Sequence, residues 1–512
     1  MDEKVHRELQ NRKETNTLYN LYEKIKNGEE LRESLSVMRG VLRDKKEGPA
    51  AGLWLDERFE EEPEVLLSLL KSEDAKIRKN AALVLGLLGR DECRDALLAA
   101  YEKEEQRFVK SAYLLALQGC DCEEQLPFLK ERRRLLLGEK RTAENDKHLR
   151  EELEALNGLI SEYEIAKKRR FTGKNELSDV ILTTWKDYRD LTARQITCGE
   201  VTMMGSGMRV KGGDLRELLS IRTWRELLFC LDIDEVSREN AAKELAESNL
   251  REVLKRYYEG GAPWQFRIEC RSKMNLEERS RFTKKLADGL MLETGGTMLN
   301  DTSDYEVELR LNEKKSGGFL PLLKFSGLPD RRFAYRKHSV AASMQPALAA
   351  VLAELAKPYM KENARVLDPF CGVGTLLFER NYAVHADTLY GTDVFGLAIK
   401  AARENAATAG IPAHFINKDM RDFSHEYKFD EIITDMPGEG KNRTAHDVDC
   451  LYRALFERAE ALLRPGSMIF VYAHDRGYAK RWVRETSGLK LEKEWRISEK
   501  EDTWFLVVRY EG

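Results

Sequence analysis

The chain has 512 residues, enough for about three domains, since single cores stop growing near about 250 to 300 residues. With 34% charged residues, a net charge of -4 and no apolar run approaching about 18 residues, it offers no membrane span, and its opening Met1-Asp-Glu-Lys-Val-His-Arg7 lacks the apolar centre of a secretory signal. Overall acidity argues against a nonspecific coat on nucleic acid, and eight scattered cysteines, with only Cys120 and Cys122 close together, suggest neither a disulfide framework nor a metal site, so a reduced cytoplasm fits best.

From residue 30 to 135 the apolar spacing is helical, and one segment repeats. Ile77-Arg-Lys-Asn-Ala-Ala-Leu-Val-Leu85 aligns with Phe108-Val-Lys-Ser-Ala-Tyr-Leu-Leu-Ala116, about 31 residues further on, with Lys79/Lys110, Ala81/Ala112 and Leu83/Leu114 matching. Small residues at a helix contact, flanked by apolar ones, are what stacked helix pairs need. The pattern resembles an α-solenoid of HEAT repeats; an ordinary helical bundle is the alternative. Residues 139–168 are charge-rich with leucines at helical spacing and read as a long connecting helix that ends at the basic run 167–170. Beyond it the pattern turns mixed. Residues 199–212 alternate as a hairpin would, 215–228 as an amphipathic helix, 264–271 and 305–311 as strands, and the stretch around 279–292 as a helix, which suits two small α+β modules.

The C-terminal third carries the chemistry. Val366-Leu-Asp-Pro-Phe-Cys-Gly-Val-Gly-Thr375 reads as a buried strand, a glycine-bent loop and a helix start, with backbone N–H groups turned toward a ligand. A second apolar strand ends on Asp393, where α/β nucleotide folds accept from ribose hydroxyls. Asp419, after the next strand, suits an adenine amino group, or merely caps its turn. A further strand delivers Asp435-Met-Pro-Gly438. The pieces 491–497 and 503–510 suit a closing hairpin. There is no phosphate loop of the Gly-x-x-x-x-Gly-Lys-Ser/Thr type, so an NTPase has little support.

Asp368-Pro-Phe-Cys-Gly-Val-Gly-Thr375 resembles motif I of S-adenosylmethionine-dependent methyltransferases that act on exocyclic amines of bases, and Asp435-Met-Pro-Gly438 resembles their motif IV. With Arg222-Thr-Trp-Arg225, Phe266-Arg-Ile-Glu-Cys-Arg-Ser272, the strand from Asn300 and Arg332-Phe-Ala-Tyr-Arg-Lys-His-Ser339, residues 175–512 resemble the THUMP-domain RNA guanine-N2 methyltransferases. Residues 1–168, the helical HEAT-like region, are an addition that this family does not match; the resemblance implies a ferredoxin-like plus THUMP-like α+β region over 169–338 that binds RNA, and a Rossmann-like α/β methyltransferase over 339–512. It assigns catalysis to Asp435 and Pro437, and S-adenosylmethionine binding to Asp368, Phe370, Cys371, Gly372, Gly374, Thr375, Asp393 and Asp419, with no metal. The expected activity is methyl transfer to guanosine N2 in tRNA. The alternatives are guanine N2 of rRNA or adenine N6, and a scaffold that binds RNA and cofactor without turnover, suggested by Gly438 where motif IV carries a base-stacking aromatic. Tyr452, Phe456, His446 and Tyr472 are candidates to replace that ring, although Tyr452 and Phe456 stand four apart on a helical pattern and read first as core. Phosphate contacts would come from the basic clusters at 130–134, 167–170, 314–315 and 331–337. The expected partners are RNA and a protein ligand of the solenoid, with no membrane.

Overall fold

The computed structural model describes residues 18–44, 48–137, 139, 142, 145–163, 169–341, 343–440 and 443–512. They form two compact units that interleave along the chain: one runs to residue 169 and adds 235–251 and 260–320, the other takes 170–234, 252–259 and 321–512. This grouping follows contacts and not chain order, so it differs from the partition at 168 and 338.

The first unit opens with a helical array: α1 (Leu31–Arg43), α2 (Gly48–Glu61), α3 (Ala75–Leu88), α4 (Arg94–Lys103), α5 (Arg107–Leu117), α6 (Leu126–Leu137) and α7 (Asp146–Tyr163). The two repeated segments are α3 and α5, packed side by side. Missing side chains permit the approach: a Cβ on Gly86 would stand 2.4 Å from Ala116 Cα. Helix α3 begins at Asp74, whose carboxylate accepts from the Lys76 N–H, and stops at Gly89 with φ 64°. Helix α7 is no free connector. Its Leu149, Leu153, Leu156, Leu159 and Ile160 are buried, and it packs on α5 and α6. Charge on its outer face masked an inward apolar stripe. The rest of that expected helix, 164–168, lies outside the described residues. The same core includes Leu292 of α8 (Leu276–Glu293), which follows the strand Trp264–Arg271. That strand pairs in parallel with Met298–Asn300 and Val307–Glu313.

The second unit holds two sets of strands. In one, Leu177–Thr183 pairs antiparallel with Gly207–Asp214 and Glu226–Cys230, and Gly207–Asp214 with Glu200–Met204. The hairpin over 199–212 is present. The helix expected over 215–228 lasts one turn, Leu215–Leu218, before the chain returns as strand. Burial of Leu227, Leu228 and Phe229 in the ladder overrides the helical periodicity.

The other set is a seven-stranded sheet: β1 (Ala364–Asp368), β2 (Ala386–Asp393), β3 (His414–Asn417), β4 (Phe429–Asp435), β5 (Leu463–Ala473), β6 (Leu489–Ser498) and β7 (Thr503–Tyr510), in the order β3-β2-β1-β4-β5-β7-β6. Strands β1 to β5 are parallel, and β7 is antiparallel to β5 and β6. Helices α9 (Pro346–Ala356), α10 (Thr375–Ala383) and α11 (Gly396–Ala409) share one core with the sheet; α12 (Ala445–Glu457) and α13 (Arg476–Glu485) share another. This is the doubly wound α/β fold. Its strand order reverses at β1, so the carboxyl ends of β1, β2 and β4 face one crevice. Beneath it, Arg380 of α10 donates to Glu431 of β4 at 2.9 and 2.8 Å, both side chains buried.

Four side chains of the basic clusters are tied into the fold, and Lys167 and Lys168 lie outside the described residues. Arg132 donates to Glu152 at 2.8 Å, Arg169 to Glu306 at 2.5 Å, Lys314 pairs with Glu235 at 2.7 Å, and Arg332, buried, pairs with Asp330 at 2.8 Å. These four side chains are therefore not poised for phosphate. Among the described residues no helix is long and apolar enough to cross a membrane, and the eight cysteines are free.

Candidate active site

Strand β1 hands the chain to the loop 369–374. Gly372 and Gly374 have φ of 51° and 84°. A Cβ at Gly374 would stand 2.9 Å from the Phe378 ring, so both dihedral and space require glycine there. A Cβ at Gly372 would meet nothing within 4 Å, because that residue borders open space. The loop is pinned by the Gly374 N–H to Cys371 O at 2.8 Å and the Cys371 N–H to Thr392 O at 3.0 Å. Helix α10 then starts at Thr375, whose Oγ1 is buried with no hydrogen-bond partner among the described residues.

Three strand-end carboxylates surround this loop. Asp368 Oδ1 accepts from the Thr434 hydroxyl at 2.7 Å and the Phe370 N–H at 3.0 Å. Burial pushes its carboxyl up to about 8 despite those bonds, with Asp435 and Asp393 adding to the rise. Asp393 accepts from the Gly372 N–H at 3.0 Å through one oxygen and from the Phe395 N–H at 2.8 Å through the other, so it ties the loop to β2. Asp435 ends β4, and its Oδ1 lies 3.1 Å from His474 Nε2. Burial raises the Asp435 carboxyl and the His474 contact opposes that rise; the same contact raises the imidazole. The Asp435 side chain is still 27% accessible, so its burial is partial.

These groups border a cleft of about 1260 Å³. A single small ligand usually occupies roughly 300 to 1000 Å³, so there is room for two. Asp368, Phe370, Cys371, Gly372, Thr375, Asp393, Asp419, Asp435 and Pro437 all line it. Gly374 stands behind, against Phe378 and Phe415. Asp419 faces the cleft with its carboxylate already engaged: it accepts the Arg421 N–H at 2.8 Å and pairs with that guanidinium at 2.6 Å, which holds it below the usual carboxylate range.

Tyr452 and Phe456 are wholly buried, and Tyr472 is buried with its hydroxyl on Thr503 at 3.0 Å. None of the three offers a ring to the cleft, whereas His446 does line it. Two residues that contact the strand-end carboxylates escaped the sequence reading. Thr434 orients Asp368, and His474 pairs with Asp435. The signal for His474 was strand adjacency: β4 and β5 run parallel with Asp435 opposite Tyr472, which sets the chain two residues later beside the carboxylate.

An open glycine-bent loop, an unpartnered Thr375 hydroxyl and a half-buried Asp393 suit a ligand with a ribose and an amino acid end, and surrounding carboxylates favour cationic groups on it.

Comparison with known proteins agrees with this geometry. Residues 333–499 match the family described as UPF0020, RMKL-like, methyltransferase domain, and residues 63–135 match HEAT repeats. The tRNA (guanine(10)-N2)-dimethyltransferase of Methanothermobacter thermautotrophicus is 33% identical over 133 residues, 26% of this chain and 38% of that protein. The U6 snRNA (guanine-N(2))-methyltransferase THUMPD2 of Mus musculus is 25% identical over 218 residues, 41% of this chain and 39% of that protein. The matches thus span a little under two fifths of the length of these curated relatives. The fold of TrmN from Thermus thermophilus superposes with a TM-score of 0.50 at 21% identity, over 65% of this chain and 99% of that one. The chain therefore carries a methyltransferase domain behind HEAT repeats.

Proposed function

We propose that this protein methylates an exocyclic amine of a base in RNA, guanosine N2 in tRNA, using S-adenosylmethionine. The observation that carries the proposal is the position of Asp435. It ends β4 in the wall of the cleft that also holds the glycine loop and Asp393, so an amine at its carboxylate and a cofactor at the loop share one space. When bound, the cofactor would supply an electrophilic methyl group on a sulfonium centre. Asp393 would accept from its ribose hydroxyls, and the Thr375 hydroxyl would face its amino acid end. Asp419 would meet the adenine amino group, provided Arg421 yields part of its hold. A base amine is a poor nucleophile because its lone pair is delocalised into the ring. Asp435, with the carbonyls flanking Pro437, would accept its N–H bonds, aim it along the transfer axis and stabilise the positive charge that develops.

The two curated relatives are named for guanine-N2 transfer on tRNA and U6 snRNA, which supports the base amine and leaves the RNA to experiment. The α+β strands upstream would grip the RNA as a THUMP-like region, and the solenoid would bind a protein partner. Eight free cysteines fit a reducing compartment, the cytoplasm. Gly438 favours one other reading, a scaffold that binds cofactor without turnover.

The test is single-turnover transfer of labelled methyl to unmodified tRNA, rRNA and snRNA, with nucleoside mass spectrometry of the product. N2-methylguanosine in tRNA is expected. Asp435→Asn should lose about 100- to 1000-fold in rate while cofactor affinity stays. Transfer to no RNA would establish the scaffold.

A further inference from the structure

The loop after Asp435 has no side chain at Gly438, and an imidazole stands against that position. A Cβ on Gly438 would lie 3.3 Å from both Cβ and Cγ of His474. The ring is held from its other side by Tyr472, edge-on at 5.2 Å between centroids, and its Nε2 meets Asp435 Oδ1 at 3.1 Å. The His474 side chain is 40% accessible and lines the cleft, so it is neither core nor free surface. Gly438 thus makes room for a ring whose polar end is aimed at the one carboxylate the proposed chemistry needs.

That carboxylate has a difficulty of its own. Burial favours its neutral form, and a protonated Asp435 could not accept an amine N–H through both oxygens. An imidazolium beside it corrects this, because it donates to Oδ1 and stabilises the anion. Glu501, in the turn between β6 and β7, also acts on His474 and favours the same charged form. Tyr452 and Tyr472, the neighbouring aromatics, are pushed further from ionisation by burial and stay neutral.

We propose that His474 is the positioning residue of the transfer reaction: it donates from Nε2 to Asp435 Oδ1, keeps the carboxylate anionic and turned, and leaves Oδ2 to accept the target amine. This rests on the function proposed above. In the step, the N–CH₃ bond forms as the S–CH₃ bond breaks, with the bonding pair left on sulfur. The proton shed by the methylated amine passes to Asp435 Oδ2 and on to solvent, and His474 keeps its own.

The full chain tests this with His474→Ala and His474→Gln, each read as a pH–rate profile of single-turnover methyl transfer and as affinity for S-adenosylmethionine. His474→Ala should lower the rate on the order of 100-fold at neutral pH, as a misplaced reacting group does. Its acid limb should move to higher pH, because Asp435 has lost the cation that held it ionised. His474→Gln restores a donor without charge, so it should recover part of the rate and leave the limb shifted. Cofactor affinity should change in neither. An acid limb that stays in place in His474→Ala, or a rate loss matched by lost cofactor affinity, would overturn the role of His474 alone. The imidazole titration, followed by NMR in the protein without RNA, should fall to lower pH in Asp435→Asn; an unchanged titration means no working pair and likewise overturns the role. Absence of transfer by the wild type to every RNA pool would instead overturn the functional reading, and the positioning role with it.

Discussion

Asp368 is a buried acid whose ordinary charge the fold resists. Its carboxyl is raised from the usual carboxylate range to about 8, so the stability it lends is complete below about pH 4 and disappears as pH rises toward 8. Melting temperature of the cofactor-free protein should therefore decline across that window for this reason, and Asp368→Asn, which cannot ionise, should flatten the decline. A slope equal to wild type would show that the carboxyl ionises without cost. Asp393 has the opposite character: half-buried, it accepts two backbone N–H bonds that shape the loop and turn. Asp393→Ala should weaken S-adenosylmethionine by about 2 kcal/mol, roughly 30-fold, by calorimetric titration, since bonds to a charged acceptor are worth about 1.5 to 3 kcal/mol. Both residues were legible from their places at strand ends. Thr434 and His474 were not, because their roles arise from which strands become neighbours, and local periodicity says nothing about that.

At the scale of elements, α10 and β4 are joined by the buried Arg380–Glu431 pair, whose guanidinium also donates to Lys361 O at 2.8 Å. The helix that follows the glycine loop is thereby fixed to the strand that ends on Asp435. Arg380→Met leaves Glu431 as an uncompensated buried charge and should cost about 3 to 5 kcal/mol in chemical denaturation, with loss of transfer as well as of cofactor binding. A loss below about 1 kcal/mol would mean that water reaches Glu431. The sequence announced these elements unevenly. Strands β1, β2 and β4 stood out by short apolar stretches, Val366-Leu367, Leu389-Tyr390 and Ile432-Ile433, each followed within three residues by an acid that ends the strand. The segment 215–228 had helical periodicity and became mostly turn and strand, since Trp224, Leu227 and Phe229 are buried by tertiary contacts.

For the whole molecule, the helical array is more than an appendage. Leu137 and Leu153 border the same small cavity as Met291 and Leu292 of α8, all within the first unit. Removal of residues 1–168 would bare that apolar face. The shortened protein should bind a hydrophobic dye and melt at lower temperature in its first transition, while the methyltransferase domain, in the second unit, still binds cofactor. A fragment that keeps the native transition and stays dye-free would show that the array folds apart, as the chain-order partition at 168 implies.

The interleaving of the two units bears on how the protein is made. A ribosome delivers the chain from its N-terminus, yet the first unit lacks residues 260–320 until the strands of 170–234, which belong to the other unit, have already emerged. Strands from 170–234 wait longer still, because their unit is finished by residues 321–512. Meanwhile the strand Glu226–Cys230, paired on one side with Leu177–Thr183, presents its other edge until Leu322 and Leu323 have emerged. Neither unit is built from one uninterrupted stretch of chain, so nascent chains of this protein should depend on holding chaperones more than a string of consecutive domains would.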